Sequence, residues 1–214
     1  MQMNSRRRCY PLGAVAVLLA LFSPWSVPAI AGGDDRPADA VQGTVRELLY
    51  VLTELGDPSR EAQRTWELEQ TLRRHFDYEE MARRSLGEAW DGLRGAERRQ
   101  FVRLFVQTLR DDLADRLKNS RSGHVARVAD GTEQHQADVT VALAGTDGET
   151  SLQFRLEEGS AGWRIRDLSI DGASLVDQYQ VQFAHILKEA TVADLMERMK
   201  QRTLLVHRLE RVGS

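Results

Sequence analysis

Candidate reactive groups of this chain concentrate in one run, Trp163-Arg-Ile-Arg-Asp-Leu-Ser-Ile-Asp-Gly-Ala-Ser-Leu-Val-Asp-Gln-Tyr-Gln-Val-Gln-Phe183. Asp167 is its candidate general base, since a carboxylate buried in an apolar pocket could take a proton from a small steroid-like substrate. Ser174 in Gly172-Ala-Ser174-Leu-Val lacks the second glycine of a nucleophile elbow and stands where a helix begins, so it reads as a cap. The five histidines, His75, His124, His135, His185 and His207, show neither His-x-x-x-His nor His-Glu-x-x-His spacing, and the sequence suggests no metal site. A phosphate-cradling glycine loop is not found. Asp77, Glu79 and Glu80 crowd a helix start, where negative charge is stabilising without any further role. The sequence therefore names no catalytic residue beyond Asp167 and implies no cofactor.

What positions this run is a strand, a turn and a helix written without a break. Trp163 and Ile165 share one face and Arg164 and Arg166 the other, the period of a half-buried strand. Leu168 and Ile170 fall on the opposite parity, which places a bulge or bend near Asp167. Asp171-Gly172 turns the chain, and Leu175, Tyr179, Phe183, Ile186 and Leu187 recur at helical spacing.

Upstream, a first helix is expected from Val41 to Leu55 and a second after Asp57-Pro58, with Trp66, Leu68 and Leu72 as its apolar contacts. Asp77 with Glu80 has the form of a capping box and opens a third helix through Met81, Ala82, Leu86 and Trp90. The longest helix runs from Ala96 to Lys118. Its Phe101, Phe105, Leu109, Leu113 and Leu117 recur every fourth residue, so the apolar stripe winds around the cylinder by about 40° per step. With Val102, Leu104 and Val106 added, the stripe is wider than one packing surface needs. From His124 the period becomes two. Val125 to Val128, Val139 to Leu143, Leu152 to Leu156 and Trp163 to Ile170 make a four-stranded antiparallel meander, joined at Gly145–Gly148 and Glu157–Gly162. A last helix follows, capped by Thr191 with Asp194 and carrying Leu195 and Met199. Helices, then strands, then helices define an α+β domain over residues 41–200, a curved antiparallel sheet packed against N- and C-terminal helices. Residues 201–214 form a C-terminal tail with no evident role.

Residues 1–31 read as an address. Arg6, Arg7 and Arg8, the apolar core Leu12 to Phe22 and Ala29-Ile30-Ala31 form a secretory signal peptide cleaved after Ala31, with an apolar core far short of the ~20 residues a membrane span needs. The apolar residue usual after a twin-arginine pair is missing, so Sec export is expected. Residues 32–40 are a disordered lead-in. Loss of three arginines and no acid takes the formal charge from −3 to −6, which argues against nucleic acid as a partner. Cys9, the single cysteine, leaves with the signal, so the mature fold has no disulfide and stands on packing alone.

Two blocks carry a family resemblance. The first is Phe76-Asp-Tyr-Glu-Glu-Met-Ala-Arg-Arg-Ser-Leu-Gly87-Glu-Ala-Trp90, followed by Gln100-Phe101 and Phe105; the second is Trp163 to Phe183. In order, after a signal peptide, they resemble the MlaC-type (toluene-tolerance) periplasmic phospholipid-binding proteins, auxiliary components of ABC-type lipid transport. The chain departs from that pattern at Leu113, where an aromatic residue is usual, and at Gly95-Ala96, where Thr-Pro or Ser-Pro commonly precedes the long helix. The resemblance implies a periplasmic carrier that is not an enzyme, with phospholipid as cargo and an apolar lipid pocket. It implies as partners an outer-membrane lipoprotein–porin complex and an inner-membrane ABC transporter with its membrane-anchored substrate-binding subunit, and a role in outer-membrane lipid asymmetry. The pocket lining it implies is Trp90, Phe101, Phe105, Leu109 and Leu113 from the helices, Val139, Val141, Leu152, Phe154 and Ile165 from the strands, and Leu175, Tyr179 and Phe183 beyond them. On periodicity alone the same set is what a closed core contains. A carrier of hopanoids or other apolar lipids, a cone-shaped α+β enzyme using Asp167, and a lipid-free transporter adaptor are the other readings of these residues.

Overall fold

Alternation in the second half of the chain becomes a sheet in strict sequence order, all neighbours antiparallel: β1 (His124–Glu133), β2 (Gln136–Gly145), β3 (Gly148–Gly159), β4 (Gly162–Ile170) and β5 (Ala173–Ser174). The computed structural model describes residues 36–117, 124–145 and 148–212; the expected signal peptide and the turn residues 146 and 147 lie outside them. The first four strands are the expected meander, with β1 extending well past Val128. The fifth is an addition. Asp171 and Gly172 take φ of 49° and 82°, the left-handed pair a tight hairpin needs, and so bring Ala173 opposite Ile170. A strand of two residues has no period to read.

Val139, Phe154 and Leu168 face one another across β2, β3 and β4, as do Val141, Leu152 and Ile170, and all are buried. The register then slips. Arg155 pairs with Asp167 but Leu156 with Ile165, which leaves Arg166 as the extra residue of a bulge. The slip returns Ile165 to the inner face with Leu168 and Ile170 despite their opposite parity.

Among the described residues six α-helices complete the domain: α1 (Pro37–Glu54), α2 (Glu61–His75), α3 (Tyr78–Leu86), α4 (Gly95–Arg116), α5 (Leu175–Leu187) and α6 (Val192–Val212). Val41, Val45, Leu48, Leu49 and Leu52 of α1 are buried as its period demands. The helix starts earlier than expected, inside the segment read as a disordered lead-in. Pro37 supplies a helical φ at the first position, and Arg36 bridges to Asp39 at 2.7 Å across the first turn. Trp66 is corrected: it is 58% exposed, since two helical steps of 100° put it opposite the Leu68–Leu72 face. The third helix ends at Leu86 rather than running to Trp90, because Gly87 adopts φ 62° and the chain continues as a 3-10 turn over Gly87–Trp90. At the other end α6 continues through Gln201 to Val212, past the point where a tail was expected. No glycine or proline interrupts it before Gly213.

The long helix α4 buries Phe101, Phe105, Leu109 and Leu113, together with Val102, Leu104 and Val106. Its width is explained by its neighbours: α2, α3 and α6 all pack on it. Arg110, 4% exposed on the same helix, is held by Glu69 of α2 at 3.3 Å and by Asp111 at 2.7 Å.

Candidate functional site

The two sequence blocks meet in space. Phe76 lies beside Ile165 as an isolated parallel bridge, and the Asp77 amide donates to the Ile165 carbonyl at 2.8 Å. Arg164 donates to the carbonyls of Arg73, Arg74 and Phe76 at 3.2, 2.9 and 2.6 Å, closing the end of α2. Arg166, displaced by the bulge, sits among Asp77, Glu80 and Glu157 at 3.4, 3.9 and 3.2 Å. Asp77 accepts from the Glu80 amide at 3.2 Å, but the expected reciprocal arm is replaced: the Glu80 carboxylate binds Arg83 at 2.6 Å. That hydrogen bond holds the Glu80 carboxyl below its usual pKa, against partial desolvation.

At the corner between β4 and α5, Asp167 is 3% exposed. Its Oδ1 accepts from the Leu168 and Val176 amides at 2.9 and 3.4 Å, and its Oδ2 accepts from the Ser174 hydroxyl at 2.7 Å. Ser174 Oγ in turn accepts from the Asp177 amide at 3.1 Å, the capping role expected of it. Asp171 ties the turn to β3, accepting from the Ser151 amide at 2.9 Å while its own amide donates to the Ser151 carbonyl at 2.8 Å. Both oxygens of Asp167 are thus occupied by donors that fix a bulge and a helix start, and the candidate base is built as a cap.

The apolar residues form one continuous cluster, against which the half-buried Trp90 packs. Within it the rings make a chain between α4 and α5. Phe101 meets Trp90 edge-on at 6.4 Å and Phe183 edge-on at 5.9 Å; Phe105 meets Tyr179 edge-on at 5.4 Å; Tyr179 stacks on Phe183 at 5.7 Å. Leu109 and Leu113 prolong the α4 side of this chain, and Leu175 closes the first turn of α5. Val139, Val141, Leu152, Phe154 and Ile165 make the inner face of the sheet. Apart from Trp90, all these residues are buried. Two recesses of about 320 and 330 Å3 open elsewhere, one at Asp77, Tyr78 and Gly159–Gly162 and one at the β1–β2 hairpin, and neither is lined by a residue of this set.

A polar group at the edge of the cluster was not visible in the sequence. The Tyr179 hydroxyl donates to Asp112 Oδ2 at 2.7 Å, and Asp112 also faces Arg116 at 3.5 Å and Arg202 at 3.2 Å. Burial pushes the Tyr179 phenol well above its ordinary pKa, and the charge of Asp112 adds to the rise. These partners come from three helices far apart in the chain, so no local spacing joins them. Phe76, Met81, Ala82, Leu168 and Val176 are also core members outside the expected set; Phe76 and Met81 were visible in the first block only as parts of a pattern.

An antiparallel sheet with helices on its inner face, a continuous apolar interior and polar groups spent on caps define an α+β protein. The family model for MlaC protein matches residues 42–201, both blocks included, and the chain belongs to the MlaC family. Its fold is similar to that of a phospholipid-binding protein from Ralstonia solanacearum, solved in complex with a phospholipid, with a TM-score of 0.67 and 21% identity over 79% of this chain and 98% of that one. No curated protein matches the chain. Among the described residues no group of His, Cys, Asp or Glu side chains is arranged to hold a metal ion, and no helix is long and apolar enough to cross a membrane.

Proposed function

We propose that this protein is a periplasmic phospholipid carrier, exported with cleavage after Ala31, that moves lipid between an outer-membrane lipoprotein–porin complex and an inner-membrane ABC transporter with its anchored substrate-binding subunit, and so maintains outer-membrane lipid asymmetry. The observation that carries this reading is the MlaC family match over residues 42–201. Its fold is also that of the Ralstonia solanacearum protein solved with a bound phospholipid.

Physical need and interior agree. Water around an acyl chain costs ~0.8 kcal/mol per methylene, so a two-tailed lipid crosses an aqueous gap against a barrier on the order of 20 kcal/mol unless a protein replaces that water with aliphatic wall. The tails would lie between the inner sheet face, at Val141, Leu152 and Phe154, and the stripe of α4 at Phe105, Leu109 and Leu113, with Tyr179 and Phe183 at their side. Room comes from parting the helices from the sheet, which exchanges one set of apolar contacts for another. The head group stays in solvent, consistent with polar side chains that are already committed to caps. No proton transfer is required, and Asp167 acts as a cap throughout.

The test is mass spectrometry of the protein purified from a cell envelope under native conditions. Phospholipid near one molecule per protein is expected. Protein that neither carries lipid nor takes it up from vesicles would overturn the carrier reading, and a hopanoid in its place would reassign the cargo.

A further inference from the structure

We infer that Arg116, Arg202 and the Gln178 amide form a seat for the phosphate of the cargo lipid, at the edge of the apolar cluster and open to solvent. The inference rests on the carrier reading and names the part of the lipid that this face recognises.

The two arginines come from α4 and α6 and converge on one carboxylate. Arg202 faces Asp112 Oδ1 at 3.2 Å, and Arg116 faces Asp112 Oδ2 at 3.5 Å. That second oxygen already accepts from the Tyr179 hydroxyl at 2.7 Å, and the closer bond of Arg116 runs elsewhere, to Oε1 of Gln178 on α5 at 2.9 Å. Two guanidinium groups against one carboxylate leave the set with positive charge in excess. Burial keeps the Tyr179 phenol protonated, so it contributes no charge of its own. A phosphodiester brings the single negative charge that balances the set.

Donors are in surplus as well. The bond from Arg116 fixes which end of the Gln178 amide is its oxygen, and the Nε2 at the other end is buried with no hydrogen-bond partner among the described residues. A buried NH2 group without an acceptor is costly, and an arriving oxyanion removes that cost. Guanidinium groups present planar, permanently charged N–H forks that bind phosphate oxygens in pairs. Turning to a phosphate costs the arginines little. Their side chains are 32% and 58% exposed, ion pairs so exposed hold a fold only weakly, and Asp112 keeps the Tyr179 hydroxyl.

Tyr179 joins this seat to the wall of the cluster. Its ring meets Phe105 and stacks on Phe183, while its hydroxyl ends at Asp112. Along α4 the buried Leu109 and Leu113 flank Asp112, and Arg116 follows one turn later. A lipid with its tails along that stripe therefore presents its phosphodiester, the first charged group beyond the glycerol, to the two arginines, and the rest of the head group stays in solvent.

The experiment offers the mature protein vesicles of phosphatidylethanolamine and phosphatidylglycerol that carry equal traces of deuterated phosphatidylglycerol and of deuterated diacylglycerol with the same tails. Bound tracer is counted by mass spectrometry, and the ratio of the two reports recognition of the phosphate apart from the tails. Wild type is expected to favour phosphatidylglycerol about tenfold or more. Gln178→Glu keeps an oxygen for Arg116 but sets a negative charge where the unpartnered NH2 stood, and Arg116→Gln joined to Arg202→Gln removes both guanidinium groups. Each is expected to lower the ratio about tenfold, with urea unfolding as the check that the chain is folded; Arg202→Gln alone, at the more exposed site, lowers it about threefold. Folded variants that keep the wild-type ratio within about twofold, or a wild type without preference, overturn the seat. Inorganic phosphate at millimolar concentration is expected to leave the ratio unchanged, because only a phosphate tethered to bound tails reaches a high local concentration. If it abolishes the preference, the site belongs to a free anion and the lipid assignment falls. Wild-type protein that binds neither tracer overturns instead the carrier reading on which the seat rests.

Discussion

Replacing Asp167 separates the two chemistries that a buried carboxylate at a corner allows. Asp167→Asn keeps an oxygen for the Leu168 and Val176 amides but sets an NH2 group against the Ser174 hydroxyl, which is already committed to the Asp177 amide. It also removes a negative charge from the start of α5, worth about 0.3–2 kcal/mol in a partly buried setting. Exchange of a charge-assisted hydrogen bond for a poor neutral one adds about 1 kcal/mol, so a loss of roughly 1–3 kcal/mol is expected. Asp167→Ala leaves three donors without an acceptor at a site 3% exposed. At ~1–3 kcal/mol each, with the long Val176 bond at the low end, the cost is on the order of 3–7 kcal/mol. Urea unfolding of lipid-stripped protein measures both. Lipid uptake from vesicles should survive in the Asn variant, because carriage moves no proton. An Asn variant as stable as wild type, or an Ala variant no worse than Asn, would refute the capping account. Turnover of a small apolar substrate that disappears in Asp167→Asn while folding persists would replace the carrier with an enzyme.

Three further outcomes are expected. Val141→Trp, at a fully buried position on the inner face opposite Leu152, should reduce bound phospholipid per protein with near-normal apo stability if tails lie there; a close-packed core would instead lose ~1–3 kcal/mol or more, and either that or normal lipid content would remove Val141 from the pocket. Tyr179 has its folded pKa raised by burial, so its contribution to stability is full below the unfolded value of about 10 and is lost as pH rises through the higher folded one; Tyr179→Phe should remove that part of the alkaline loss, read by unfolding at pH 8 and above about pH 10. N-terminal sequencing of protein recovered from the periplasm should begin at Gly32, and retention of Met1 would overturn both the cleavage site and the export route.

Much of the local architecture was legible because it depends on short-range physics. The parity switch between Ile165 and Leu168 located the bulge, since side-chain period in a strand is fixed at two and an extra residue is the simplest way for both to face inward. Asp171-Gly172 and Ser174 announced a turn and a cap from residue type alone. Where such cues conflict with longer-range packing they mislead: residues 32–40 read as a disordered lead-in yet Pro37 begins α1, and Glu80 has the spacing of a capping partner yet is drawn to Arg83.

Local pattern was enough to set the order of the six helices and the first four strands, most of their apolar faces, and through two motif blocks the family. It took the packed chain to lock those blocks together at Phe76 and Ile165, to consume Asp167 with three donors, and to gather Tyr179, Asp112 and Arg202 in one polar knot. Periodicity reports on the few residues within one turn or one strand. Which distant groups satisfy a buried carboxylate depends on where the whole chain has packed.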